Sequence, residues 1–431
     1  MKIKFLVILL FTVVLCSGQQ TLSLQQAIDI ALQNNLGLKI VKNENQIASN
    51  NNSPGNAGML PQISATSGAT IQSNNIEQRF SNGTTIEKDK VGANNLNAGI
   101  ALNYTFFDGM KMFATKQKLE VLQAMGENNL RNAIQQTIEL VIIAYTNASK
   151  QKLLIKAINN SMELYTERVK IAEAKLLSGK SSKTELLQFQ IDLNSQKNLL
   201  NGHQVLLQNA ISSLNEVMQK PADQIYEVSD TLIPDTNLQL GQLLAQALST
   251  NLNLRQLELM KQESSYSLKE IQSQKLPQLR LNAGYNFSRS ANQQGFFLYN
   301  QAIGPNAGLG LSWNLYNGGI IKRQTENARI QQENIEMQEQ QYRNTVSTTI
   351  TMGWREYRNA ISNLNVETRN LDLASENLLI GMERLRLGES NILEIKEAQK
   401  LYNDAIQRKT EALARIIIAQ TSLLRWSAQL K

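Results

Sequence analysis

Ala31-Leu32-Gln33-Asn34-Asn35-Leu36-Gly37-Leu38 is written again 216 positions later as Ala247-Leu248-Ser249-Thr250-Asn251-Leu252-Asn253-Leu254. At the same offset Leu60-Pro61-Gln62-Ile63 returns as Leu276-Pro277-Gln278-Leu279. Farther along the offset is 209: Phe107-Asp108-Gly109 answers to Tyr316-Asn317-Gly318, Gly99 to Gly308 and Gly179 to Gly388. Around that last pair Glu185, Gln190 and Asn194 align with Glu394, Gln399 and Asn403. A seven-residue length difference, placed in segments 74–95 and 291–306 and read as loop, accounts for the change. The chain is therefore two copies of one unit, 19–230 and 231–431, each reading helix, strand, loop, strand, helix, helix.

Apolar residues recur at helical spacing over 22–57, 113–178, 182–218, 238–274, 322–387 and 391–428. Leu186, Leu193, Leu200, Leu207 and Leu214 fall seven apart, as do Ala398, Ala405, Ala412 and Ala419. Both are coiled-coil seams, and the alanine seam implies close helix approach. At about 1.5 Å per residue the helices 113–178 and 322–387 are each roughly 100 Å long. The fold class is thus mainly α with a small β part.

The β part is four strands, 61–73, 96–107, 277–290 and 307–317. Ile63, Ala65, Ala69 and Ile71 alternate with Ser64, Thr66 and Thr70, while Leu279, Leu281, Ala283, Tyr285 and Phe287 alternate with Arg280, Asn282, Asn286 and Ser288. Ile100, Leu102, Tyr104 and Phe106 do the same, and so do Leu309, Leu311, Trp313 and Leu315. One apolar and one polar face suits a membrane barrel with lipid outside and water inside. Tyr104, Phe106, Phe107, Trp313 and Tyr316, near the strand ends, read as membrane-interface aromatics. Four strands cannot close a barrel in lipid. Several copies must share one, two giving a filled eight-stranded barrel and three a twelve-stranded barrel with a lumen.

At the N-terminus Lys2 and Lys4 precede an uncharged run from Phe5 to Leu15, then Cys16-Ser17-Gly18. This reads as a signal peptide over 1–18, cut after Gly18, and an exported mature protein. Cys16 is the alternative lipidation site of a lipid-anchored form, but that cleavage wants a small residue before the cysteine and Leu15 is large. The formal charge of +7 falls to +5 as Lys2 and Lys4 leave. Basic residues are interspersed with acids, with no basic, aromatic-laced run, so no nucleic acid partner is expected. His203 is the only histidine. No nucleotide loop, catalytic triad or metal-ligand cluster is present, so no enzyme activity, metal or cofactor is expected.

The duplicated layout resembles the TolC family of outer-membrane efflux proteins. The resemblance rests on the Leu-Pro-Gln that enters each half's first strand, on Phe107-Asp108-Gly109 and Tyr316-Asn317-Gly318, and on Gly388-Glu389-Ser390-Asn391-Ile392-Leu393-Glu394-Ile395 followed by Leu401-Tyr402-Asn403. It covers essentially the whole mature chain. It implies a homotrimer whose strands make a twelve-stranded barrel among outer-membrane lipid and whose helices make an α-helical barrel through the periplasm. A periplasmic adaptor (membrane fusion) protein joins such a duct to an inner-membrane pump, for efflux or type I secretion of small molecules, metal ions or polypeptides.

Residue by residue, the resemblance makes the helix tips at Gly179 and Gly388 the adaptor contact. Glu394 and Glu397 become the acidic ring of the channel mouth. Thr184 and Glu185 match positions that hold a closed mouth, but their arginine partner is absent, Ser390 standing in its place, and Arg384 or Arg386 is the candidate substitute. The leucine heptads alone also allow a structural periplasmic or surface coiled-coil protein without a channel; the four amphipathic strands separate the two readings.

Overall fold

The computed structural model describes residues 21–294, 297–389 and 392–430. The expected signal segment 1–18, Cys16 and Ser390 lie outside the described residues. The first half runs β1 (Thr21–Leu22), α1 (Leu24–Asn34), α2 (Leu36–Asn51), β2 (Gln62–Arg79), β3 (Thr85–Phe107), α3 (Lys111–Leu177) and α4 (Lys183–Met218). β4 (Glu227–Val228) closes that half, and the second runs α5 (Leu240–Thr250), α6 (Leu252–Ser273), β5 (Gln278–Asn292), β6 (Tyr299–Ser312), α7 (Ile320–Leu387) and α8 (Ile392–Trp426).

The spacing predicts one helix over 22–57 and one over 238–274, yet each is broken at an asparagine of the repeated motif. Asn35 ends α1 and Asn251 ends α5 with ψ of 119° and 125°, outside the helical range. The side chains explain the break. Asn35 Oδ1 accepts the Leu38 N–H at 3.0 Å, capping α2, and its Nδ2 donates to Val217 O at 3.1 Å. Asn251 Nδ2 donates to Trp426 O at 2.9 Å. The apolar spacing continues past the cap, yet in α2 it is Leu38 that is buried while Leu36, Ile40 and Ile47 stand more than half exposed.

The strands are longer than expected at their hairpin ends. Segments 74–95 and 291–306, expected as loops, hold the outer parts of β2 and β3 and most of β6. The β2–β3 ladder runs from Gln62↔Asn103 to Arg79↔Thr85 with a bulge at Asn74/Ile76. Both faces become polar there, so alternation disappears while backbone pairing continues. β6 stops at Ser312, short of the expected 317. Trp313 and Tyr316 therefore follow the strand, the Trp313 indole donating to Lys275 O at 3.0 Å. Gly318 and Gly319, both at positive φ, then turn the chain into α7.

The chain forms two compact units, each drawing on both repeats: Met1–Val41, Leu130–Leu252 and Tyr342–Lys431 in one, Lys42–Asn129 and Asn253–Gln341 in the other. In the first, Ala27, Ala31, Val141, Tyr145, Leu214 and Met218 form a core beneath the parallel pair β1–β4. The Tyr145 hydroxyl donates to Leu22 O at 2.8 Å and accepts the Ser229 N–H at 3.1 Å, pinning that pair to α3. The alanine seam is buried at Ala398, Ala405 and Ala412. The second unit holds the antiparallel sheet β2-β3-β5-β6. Asp108 starts its stretch of α3 by accepting the Met112 N–H at 2.9 and 3.1 Å. Among the described residues no helix is long and apolar enough to cross a membrane.

Candidate channel wall and mouth

Directly paired residues of an antiparallel sheet share a face, so the register sorts the wall. One face carries the rows Tyr104–Leu281–Leu309, Ile63–Leu102–Ala283–Ala307, Ala65–Ile100–Tyr285–Pro305 and Ser67–Ala98–Phe287–Ile303. The other carries Gln62–Asn103–Asn282–Gly308, Ser64–Ala101–Gly284–Asn306 and Thr66–Gly99–Asn286–Gly304, with Asn286 Nδ2 donating to Asn306 Oδ1 at 2.8 Å. Gly99 is closely packed: a Cβ there would lie 3.2 Å from Tyr285 O and would displace the Asn286 side-chain amide. The apolar face is bare in one chain: Ile63, Ile71, Leu309 and Leu311 are all more than 60% exposed. β2 and β6 are the sheet's outer strands, each paired on one side only.

The expected interface aromatics gather near one end of this sheet. Tyr104 and Phe106 pack edge to face at 4.6 Å, and a register shift between Thr105 and Phe107 brings Phe107 opposite Leu279. Trp313 is tied to Lys275 as above, and Tyr316 is 84% exposed.

The two helix tips, in the other unit, are built alike. After α3, Gly179 adopts φ +69° and the Lys180 N–H donates to Lys175 O at 2.8 Å; after α7, Gly388 adopts φ +83° and the Glu389 N–H donates to Arg384 O at 2.9 Å. This is the left-handed helix end that glycine adopts without strain. Ser182 caps α4 through the Glu185 N–H at 3.2 Å.

The expected mouth residues have these partners. Glu394 and Glu397 lie on one exposed face of α8 and line a cleft with Arg384, Ile380 and Gly381. Arg384 Nη1 stands 3.5 Å from Glu394 Oε2 and its Nη2 donates to Glu389 O at 3.1 Å. Arg386 pairs with Glu167 at 3.2 Å. Within one chain these arginines are thus engaged away from Thr184 and Glu185. Thr184 is exposed, and Glu185 accepts from the Ser181 hydroxyl at 2.6 Å.

Two features escape the sequence reading. Val366, Leu373, Ile380 and Leu387 fall seven apart on α7 and are each more than half exposed, an uncovered seam whose spacing was there to be found. Below the tips Arg168, 1% exposed, reaches Asp192 Oδ2 at 3.5 Å and lies 4.4 Å over the Phe189 ring and 5.2 Å over Tyr165. Burial pushes its guanidinium below the ordinary value, with Tyr165 and Asp192 opposing. Nothing in the spacing marks Arg168 as buried, and the other arginine of α3, Arg131, is exposed.

The sequence profile described as outer membrane efflux protein matches residues 27–218 and 243–428. The outer membrane efflux protein BepC of Brucella suis biovar 1 (strain 1330) is 22% identical over 333 residues, covering 76% of this chain and 70% of that one. The outer-membrane channel OprN superposes with a TM-score of 0.76 at 14% identity, over 95% of this chain and 90% of the other. The outer membrane protein VceC of Vibrio cholerae does so with a TM-score of 0.75 at 16% identity, over 94% and 96%.

Proposed function

This chain belongs to the outer membrane efflux protein family, and we propose that three copies of it form one passive export duct. Their sheets join into a twelve-stranded barrel in the outer membrane, and their helices form a tunnel on its periplasmic side. The observation that carries this reading is the open-edged, two-faced sheet, with β2 and β6 at its edges. Open edges are not tolerated in lipid, and membrane barrels have at least eight strands. Three copies give twelve strands and a lumen, whereas two give a barrel that its own side chains fill. The uncovered heptad seam of α7 supports the same association, since a second helix would bury it.

Water fills the barrel along the polar face, with its asparagines and serines, and lipid covers the other. The duct carries no energy source of its own. A periplasmic membrane-fusion adaptor contacts the tips at Gly179 and Gly388 and links the duct to an inner-membrane pump. The cargo is small molecules, metal ions or polypeptides, and Glu394 and Glu397 bias the mouth toward cations. Tyr104, Phe106, Phe107, Trp313 and Tyr316 lie at the periplasmic interface of the barrel.

The test is native mass and conductance. Protein extracted by detergent from outer-membrane fractions should run as a trimer and open discrete channels in a planar bilayer. Release by osmotic shock without detergent would overturn the duct and favour a structural coiled coil.

A further inference from the structure

Arg289 breaks the apolar face. By register it shares that face with Leu96 and Gln301. No acidic side chain stands in its row or in the rows on either side: Ser67, Ala98, Phe287 and Ile303 lie below, and Ile71, Asn94, Ala291 and Tyr299 above. Its guanidinium instead stacks 5.3 Å from the Tyr299 ring centroid. The side chain is exposed. A charged group on a lipid-facing surface costs a few kcal/mol at mid-bilayer and little at the interface, so its height decides what it can do.

The register supplies the height. Leu279, opposite Leu311, opens the apolar face at the end where the interface aromatics gather, and Arg289 lies ten residues farther along β5. At about 3.4 Å per residue that is roughly 34 Å of strand, and a tilt of about 40° reduces it to about 26 Å along the membrane normal. The apolar band of such barrels is about 25 Å tall. Arg289 therefore sits at the far rim of the band, level with the head groups of the outer leaflet.

Resting on the barrel reading above, we propose that Arg289, held by Tyr299, binds the phosphate of an outer-leaflet lipid head group. A planar guanidinium presents paired donors that match phosphate oxygens bidentately, which a lysine cannot do. The aromatic face beneath it limits its rotamers and leaves the donor edge open to the ligand. Bound lipid would fix the depth of the barrel by one charged contact per chain.

The experiment reads lipid retention. Detergent-extracted full-length protein is reconstituted with phosphatidylcholine and diphosphoryl lipid A, re-extracted, and weighed by native mass spectrometry. The unsubstituted protein should keep lipid A, Arg289→Gln should keep about tenfold less, and Arg289→Lys should fall between, as loss of a bidentate charged contact implies. Arg280→Gln, on the opposite face of the same strand, should change nothing. Equal retention by Arg289→Gln, equal retention of lipid A stripped of its phosphates, or displacement by millimolar inorganic phosphate would each overturn the site. Bilayer conductance separates the two readings: channels that open normally with no lipid preference sink only the phosphate site. Absence of channels in the unsubstituted protein removes the barrel and the site together.

Discussion

Arg168 and Asp192 face each other at 3.5 Å across the α3–α4 hairpin, the arginine 1% exposed. Asp192 also holds Lys396 of α8 at 3.1 Å, so one carboxylate anchors two cations from two helices. Two of the guanidinium nitrogens, Nε and Nη1, have no hydrogen-bond partner among the described residues, and the flanking Tyr165 and Phe189 rings shield the charge in their place. Asp192→Ala should therefore destabilise the tip region by about 3–5 kcal/mol, because it leaves a buried charge uncompensated. Replacing both partners, Arg168→Met with Asp192→Leu, should recover most of that. Hydrogen exchange of the amides on α3 and α4 checks both outcomes; equal loss of protection in the single and double variants would refute the argument.

Gly109 and Gly179 both sit at positive φ, yet only one is crowded. A Cβ at Gly109 would run into Ser273 O and stand 2.9 Å from Leu276 Cβ, whereas among the described residues nothing lies within 4 Å at Gly179. Gly179→Ala should cost about 1–2 kcal/mol, the backbone term alone. Gly109→Ala adds overpacking of about 1–3 kcal/mol against main chain that cannot yield. Thermal melts of the detergent-extracted protein should rank the two in that order.

Glu394→Gln with Glu397→Gln should lower the cation preference of the open channel. Arg384→Gln should raise it, because Arg384 stands 3.5 Å from Glu394 and offsets its charge. Each shift should be a factor of a few, on the scale of about 1 kcal/mol for an exposed pair. Reversal potentials under a salt gradient measure both, and unaltered selectivity in the double glutamate variant would exclude these residues from the mouth.

His203 predicts an acid-sensitive helix pair. Its Nδ1 lies 2.9 Å from Gln151 Oε1, and burial, then the charge of Lys150, push its pKa below the ordinary value. The unfolded chain then binds the proton more readily, so stability is full above about pH 6.5 and is lost as pH falls from there through the native pKa. A shallower dependence between about pH 7 and 5 in His203→Gln is the expected outcome.

The repeat, the six long helical stretches and the four two-faced strands were legible because each is a periodic pattern over many residues. Their boundaries were less so. Asn35 and Asn251 cap helices inside an unbroken apolar stripe, and β2 and β3 run on where both faces meet water. Trp313 and Leu315 kept the alternation of a strand that had already ended at Ser312. The tip glycines were placed by the repeat, but the partners of Arg384 and Arg386 were not.

By itself the sequence determined the duplicated helix–strand unit, the amphipathic faces and the glycine turns, since all follow from periodicity and local backbone preference. Tertiary structure alone decided which carboxylate each arginine meets, that Arg168 is buried while Arg289 stands bare on an apolar face, and that the sheet ends in two unpaired edges. The physical reason is range. Periodicity is a property of neighbours along the chain, whereas charge pairing, burial and strand order depend on residues of different elements, 24 positions apart for Arg168–Asp192 and 219 for Arg386–Glu167, that only packing brings together.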